Sequence, residues 1–293
     1  MKFTQHRAKL GFMEFHTLIS VDSLQKLLGE PRLAVVDCRF DLMNPGAGRQ
    51  AYLEAHIPGA RYADLNQDLS APVGPGTGRH PLPAPDAFAA WLGAAGIGNG
   101  TQVVAYDDAN GSIAARLWWM LRWVGHAAVA VLDGGFKAWT ARGGALQSGS
   151  AGFRAEKFVP RVHADTVLST AEVERALRDP AALLVDARAQ ERYAGTTEPI
   201  DPVAGHIPGA VNHPFTANLD AAGHFLHGDE IKRRWQERLS GRQPRQLIAM
   251  CGSGVTACHN LLSLEVAGLT GAKLYAGSWS EWIRDPRRPV ARS

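Results

Sequence analysis

Apolar residues along this chain come in short dense runs rather than in long amphipathic stripes. Leu33-Ala34-Val35-Val36, Val103-Val104-Ala105, residues 128–132, Leu183-Leu184-Val185, Leu247-Ile248-Ala249-Met250 and residues 272–275 are each bounded by polar or glycine-bearing segments. Runs this short, without polar alternation, predict strands buried on both faces, as in a parallel sheet. Between them lie helical patterns, one through Trp118, Trp119 and Leu121 and another from Val255 through Leu261, Leu262 and Leu264. Strands alternating with helices predict an α/β fold, with a central, mostly parallel sheet flanked by helices.

The pattern occurs twice. Val35-Val36-Asp37-Cys38-Arg39 and Leu184-Val185-Asp186-Ala187-Arg188 both end a strand in Asp-x-Arg. His56-Ile57-Pro58-Gly59-Ala60 follows the first and His206-Ile207-Pro208-Gly209-Ala210 the second, with Asp-to-His spacings of 19 and 20 residues. Each copy closes on a turn rich in glycine and tryptophan, Asp133-Gly134-Gly135-Phe136-Lys137-Ala138-Trp139 and Ala276-Gly277-Ser278-Trp279-Ser280-Glu281-Trp282. Such self-similarity predicts two tandem domains of one fold. The expected boundaries are an extension over 1–14, a first domain over 15–143, a linker over 144–166 and a second domain over 167–293. The linker assignment rests on its Gly, Ser and charge content without apolar periodicity.

The copies differ at one point that matters chemically. The strand 102–106 is followed by Asp107, and the matching strand 247–250 by Cys251-Gly252-Ser253-Gly254-Val255-Thr256. A cysteine between a strand end and a helix N-terminus faces unpaired amide N–H groups and partial positive charge. Successive amides in a curled glycine turn make an anion nest, and such surroundings favour the thiolate. Cys251 is therefore the candidate nucleophile, and the amides of Gly252, Ser253, Gly254, Val255 and Thr256 its expected anion cradle. Ligands in open α/β sheets sit at the carboxyl ends of strands. The site is expected there, walled on one side by the cysteine-free domain.

Bulk properties narrow the classes. The chain has 293 residues, 45% hydrophobic and 20% charged, with a formal net charge of +3. That mild excess, part of it in Arg284, Arg287, Arg288 and Arg292, reads as a solvated tail and not as a nucleic-acid surface. The three cysteines form no even framework, which fits a reducing, cytoplasmic setting. No run of about 18 apolar residues predicts a membrane span. Histidines and cysteines show no zinc-ligand spacing, so neither a metal nor a cofactor is expected.

Taken together, the tandem Asp-x-Arg and His-Ile-Pro-Gly-Ala motifs, the single cysteine loop and Gly277-Ser278-Trp279-Ser280-Glu281-Trp282 resemble the two-domain rhodanese-type sulfurtransferases. The loop Cys251 to Thr256 is most similar to the 3-mercaptopyruvate type, since no basic residue follows the cysteine as in the thiosulfate type. The resemblance implies two rhodanese-like domains and an enzyme that holds sulfur as a Cys251 persulfide. The donor would be a small anion, 3-mercaptopyruvate or thiosulfate. The acceptor would be cyanide or a thiol, such as thioredoxin or a small thiol. Arg192, in Asp186-x-Arg188-x-x-x-Arg192-Tyr193, matches the family's substrate arginine. Arg188 stands beside it as a candidate, although Arg39 in the cysteine-free copy argues that it is structural. A second substrate arginine of the mercaptopyruvate type has no match in Thr197-Glu198-Pro199-Ile200-Asp201-Pro202. Ser253 and His80 match a catalytic Ser–His pair, with Asp64 or Asn66 as the acid of a possible relay.

The remaining candidates have plainer readings. Cys258 and Cys38 are expected as packed core residues. His56 and His206 recur in both copies and so read as structural. Trp118, Trp119, Trp123 and Trp139 read as core and interface packing. A cysteine-dependent phosphatase would need an arginine where Ala257 stands. A dinucleotide fold would need an acidic residue near Leu274, Tyr275 and Ala276. A non-catalytic sulfur-binding module would not need the intact cysteine loop.

Overall fold

The computed structural model describes residues 14–293, so residues 1–13 of the expected 1–14 extension lie outside the described residues. The first half runs β1 (Leu18–Ile19), α1 (Val21–Leu27), β2 (Leu33–Asp37), α2 (Ala47–Glu54), β3 (Arg61–Tyr62), α3 (Pro85–Ala94), β4 (Gln102–Tyr106), α4 (Ala114–Trp123), β5 (Val129–Leu132) and α5 (Gly135–Ala141). The second half repeats the plan as β6 (Val167–Leu168), α6 (Thr170–Ala176), β7 (Leu183–Asp186), α7 (Gln190–Ala194), β8 (Val211–Asn212), α8 (Gly228–Leu239), β9 (Leu247–Met250), α9 (Ala257–Val266), β10 (Lys273–Tyr275) and α10 (Ser278–Trp282).

Each half builds one five-stranded sheet, in the orders β1-β5-β4-β2-β3 and β6-β10-β9-β7-β8. Every pairing is parallel, so all strands present their carboxyl ends to the same edge. The central strands β4 and β9 are buried along their whole length, which explains their unbroken apolar runs. Helices cover both faces, and each buried Val or Leu contributes about 1.5–3 kcal/mol. The order places the loop after β4 and the loop after β9 at the mouth of their respective sheets.

The two Asp-x-Arg motifs are buried ion pairs at strand ends. Arg39 Nη2 meets Asp37 at 2.6 Å and donates to Ala55 O at 2.6 Å. Arg188 Nη2 does the same to Asp186 and to Gly205 O, both at 2.7 Å. His56 and His206 each stack on a tyrosine, Tyr52 and Tyr193, and bond that tyrosine's carbonyl through Nδ1. These repeated pairs pin the turn after β2 and β7.

The halves pack through α4 against α9. Arg122 and Glu265 pair across this seam at 3.2 Å, and His259 Nε2 lies 3.2 Å from Asn110 O. The segment read as a linker is a strap rather than a free tether. Gln147 pairs with His56 as a β-bridge, Phe158 is buried, and Arg161 N donates to Val124 O. The arginine-rich tail also docks, with Arg288 on Glu174 at 2.7 Å and Arg284 on Thr77 O at 3.1 Å. Among the described residues no helix is long and apolar enough to cross a membrane.

Candidate active site

β9 delivers Cys251 to the carboxyl edge of the second sheet, where it is 2% exposed. Gly254 N–H donates to Cys251 Sγ at 3.1 Å. Gly254 has φ +76°, and a Cβ there would lie 2.3 Å from Ala276 O, so only glycine allows this curl. α10 holds the loop from behind: Trp279 N donates to Cys251 O at 3.0 Å and Ser280 N to Gly252 O at 2.8 Å. With those carbonyls tied back, the Gly254 amide faces the sulfur. Among the described residues the amides of Gly252, Ser253, Val255 and Thr256 have no protein acceptor.

The first half supplies the opposite wall of a cleft of about 360 Å³ lined by Arg79, His80, Arg192, Cys251 and Ser253. Its segment 78–80 is fastened to α10, with Arg79 N on Ser280 Oγ at 3.0 Å and Gly78 N on Glu281 Oε2 at 3.3 Å. The docking brings His80 Nδ1 to 2.8 Å from Ser253 Oγ. Burial, helped by the nearby Arg116 and Arg79 charges, pushes the His80 pKa down to about 3. His80 is therefore neutral at physiological pH, and one of the pair donates while the other accepts.

Two guanidiniums hang over the loop, one from each half. A Cβ on Gly252 would lie 3.1 Å from Arg79 Nη2 and 3.6 Å from both Arg192 Nη1 and Nη2. Arg192 is braced by Glu198 Oε1 at 2.7 Å and Asp201 Oδ2 at 3.0 Å. The other oxygen of Asp201 pairs with Arg79 Nη1. One carboxylate thus orients both cations. Burial opposes ionisation of Glu198, but hydrogen bonds from Arg192 and the Asp201 amide outweigh it and hold the Glu198 pKa below the usual range.

Arg79 is the site residue that the sequence reading missed. It has no counterpart in the repeat, and its one signal is its place beside His80. The stretch 197–202 supplies no second arginine, yet its Asp201 recruits one from the other half.

Other expectations fare differently. Arg188 lines the cleft, but its guanidinium is committed to Asp186, Glu198 and Gly205 O, with a side chain 1% exposed. Its geometry repeats that of Arg39 and fits a structural clamp better than a donor clamp. The relay acid is not assembled. Asp64 Oδ1 accepts from the amides of Asn66 and Gln67 at 2.8 and 3.1 Å, capping its own turn, and Asn66 is exposed. Neither hydrogen-bonds His80 among the described residues, because both point to local backbone or to solvent. Cys258 is fully buried, its thiol 3.3 Å from Gly254 O, and burial pushes its pKa up to about 12. Cys38 is likewise buried, in the first half.

Comparison with known proteins agrees with this geometry. A rhodanese-like domain model matches residues 20–142 and again 169–285. A Pseudomonas aeruginosa protein named "Probable 3-mercaptopyruvate sulfurtransferase" is 51% identical over 276 residues, covering 94% of this chain and 97% of that one. A Mycobacterium tuberculosis protein with the provisional name thiosulfate sulfurtransferase SseB is 39% identical, covering 90% of this chain and 92% of that one. The crystal structure of SseA from Escherichia coli, described as a 3-mercaptopyruvate sulfotransferase, superposes with a TM-score of 0.78 at 31% identity. It covers 91% of this chain and 100% of that one. With two matching domains, two copies of one parallel sheet and a cysteine loop in the second alone, this chain belongs to the rhodanese-like family.

Proposed function

We propose that this protein is a sulfurtransferase that carries sulfur as a Cys251 persulfide, from 3-mercaptopyruvate in preference to thiosulfate, to a thiol or cyanide acceptor. The observation that carries the reading is the Cys251 loop, where the Gly254 amide donates to the sulfur, four neighbouring amides have no acceptor among the described residues, and two guanidiniums stand over Gly252. Residues 167–293 act as the catalytic domain and residues 15–143 as the wall that brings Arg79 and His80.

In the first half-reaction the Cys251 thiolate attacks the sulfur of mercaptopyruvate. The S–S bond forms as the C–S bond breaks, and the electron pair goes to carbon as the enolate of pyruvate. Ser253 donates its hydroxyl to the developing enolate oxygen, and neutral His80 holds that hydroxyl in place. The donor's thiol proton ends on the pyruvate methyl group, which leaves Cys251 as a persulfide anion. Arg192 and Arg79 hold the donor carboxylate through charge-assisted hydrogen bonds. In the second half-reaction an acceptor thiolate attacks the outer sulfur and Cys251 leaves as thiolate. Thiosulfate follows the same path with sulfite as the leaving group. It has no carbonyl for Ser253 to polarise, and this favours mercaptopyruvate as donor. The acceptor is cyanide or a thiol, from thioredoxin or a small molecule, reaching the cleft from its open side.

Steady-state kinetics test the reading. A shared covalent form predicts parallel, ping-pong double-reciprocal lines with either donor, and a higher kcat/KM for mercaptopyruvate. Intersecting lines would mean that both substrates bind before any sulfur moves, and the persulfide would not be an intermediate.

A further inference from the structure

Arg116 lies in the first turn of α4, in the half that lacks the cysteine, and it is completely buried. Among the described residues no carboxylate pairs with it. Nη1 donates to Gly254 O at 3.0 Å, and Nη2 to His80 O at 3.1 Å and Leu69 O at 3.3 Å. Its Nε is buried without a partner. A buried charge without a counterion is costly, and the positive end of a helix makes this place worse for a cation. Carbonyl oxygens solvate the guanidinium but do not neutralise it.

The other charged groups facing the loop are already balanced. Arg79, Arg188 and Arg192 share three carboxylates, those of Asp186, Glu198 and Asp201. Glu281, on α10, is occupied by Thr170 and the Gly78 amide. His80, pushed down to about 3, and Cys258, pushed up to about 12, are uncharged near neutrality. The anion that Arg116 lacks is the one that sulfur transfer creates on Cys251. The two are linked through Gly254, whose carbonyl accepts from Arg116 and whose N–H donates to Cys251 Sγ.

We propose that Arg116 is the counterion of the Cys251 thiolate and persulfide, supplied across the domain seam, and the strut that holds the loop and the His80 backbone together. It is a positioning residue, since it touches no reacting atom. Burial draws its pKa down, and the Cys258 and Cys251 thiols oppose that shift. The proposal rests on Cys251 being the sulfur carrier. Its test uses no sulfur donor, so it can fail while the sulfur-transfer reading stands, and the reverse.

The test is the pH dependence of Cys251 alkylation by iodoacetamide, assigned by fragment mass spectrometry to separate Cys251 from Cys258. In Arg116→Met the midpoint should rise by about one pH unit or more, a tenfold loss of thiolate below it. In Arg116→Lys, which keeps the charge but cannot span three carbonyls, the midpoint should stay near the wild-type value. An unchanged midpoint in Arg116→Met, or equal shifts in both variants, would overturn the counterion role. Should Arg116→Met not fold, Cys251→Asp and Cys251→Asn decide the matter with Arg116 intact. The Asp variant should melt above the Asn variant at neutral pH. An equal or lower melting point for Asp would overturn the proposal.

Discussion

Asp107 stands in the first half where Cys251 stands in the second, each the first residue beyond the middle strand of its sheet. The Asp107 carboxylate fills its own cradle: Oδ1 accepts from the amides of Ala109 and Gly111, and Oδ2 from those of Ile113 and Ala114, at 2.8–2.9 Å. The same loop architecture therefore holds a carboxylate in one half and, on the proposed reading, the sulfur anion in the other. Replacing Asp107 by alanine would leave four amides without an acceptor, two buried (Gly111 and Ala114) and two partly buried (Ala109 and Ile113). The expected loss is roughly 2–4 kcal/mol in urea unfolding. A loss below about 0.5 kcal/mol would mean that water replaces the carboxylate at little cost.

The two guanidiniums over Gly252 predict a shared effect on donor binding. Arg79→Ala and Arg192→Ala should each raise the mercaptopyruvate KM by about tenfold or more, the value of one charge-assisted hydrogen bond. Asp201→Asn, which removes the charge that orients both, should raise it as well. Donor KM values measured at fixed acceptor check this. An Arg79→Ala enzyme with wild-type KM would remove the first half from donor binding.

His80 and Ser253 touch, but among the described residues no acid hydrogen-bonds the histidine. Ser253→Ala and His80→Ala should lower mercaptopyruvate turnover much more than thiosulfate turnover, by about 10²-fold or more. Asp64→Ala and Asn66→Ala should change the ratio of the two donors less than about threefold, because neither residue reaches the histidine. A large loss in either of those variants would require a rearrangement of the 64–67 turn when donor binds.

Burial holds His80 and His259 down to about 3 and His213 to about 4. These folded-state values lie below the unfolded one of about 6.5, so their stability contribution is complete above that pH and is lost as pH falls toward 4. At pH 5 each such histidine costs about 2 kcal/mol. Urea midpoints should be flat from about pH 8 to 7 and fall steeply from 6 to 5. His213→Gln, if it folds, should reduce that slope by about one proton. Flat midpoints down to pH 5 would mean that these rings protonate in the folded protein.

Much of this molecule could be read from its sequence. Continuous apolar runs marked β2, β4, β7 and β9, because strands buried on both faces admit no polar alternation. The Cys251 loop followed from its local motif, and the Ser253–His80 pair from the resemblance to the sulfurtransferase family. The edge strands β1, β3, β6 and β8 are two residues each and too short to leave a pattern. Arg79 and Arg116 escaped notice for a different reason: each acts on a loop far away in the chain, and only the docked halves bring them there. Arg116 also sits among tryptophans on a helix that reads as core. The strap 144–166 read simply as a linker because extended backbone bonding leaves no periodic signature.

The most direct measurement is the intact mass of the protein after incubation with mercaptopyruvate and removal of excess donor. A single added sulfur, about 32 Da, should appear on the peptide bearing Cys251, vanish on addition of cyanide or a thiol, and be absent in Cys251→Ser. No added sulfur with either mercaptopyruvate or thiosulfate, or an addition that survives in Cys251→Ser, would contradict the account.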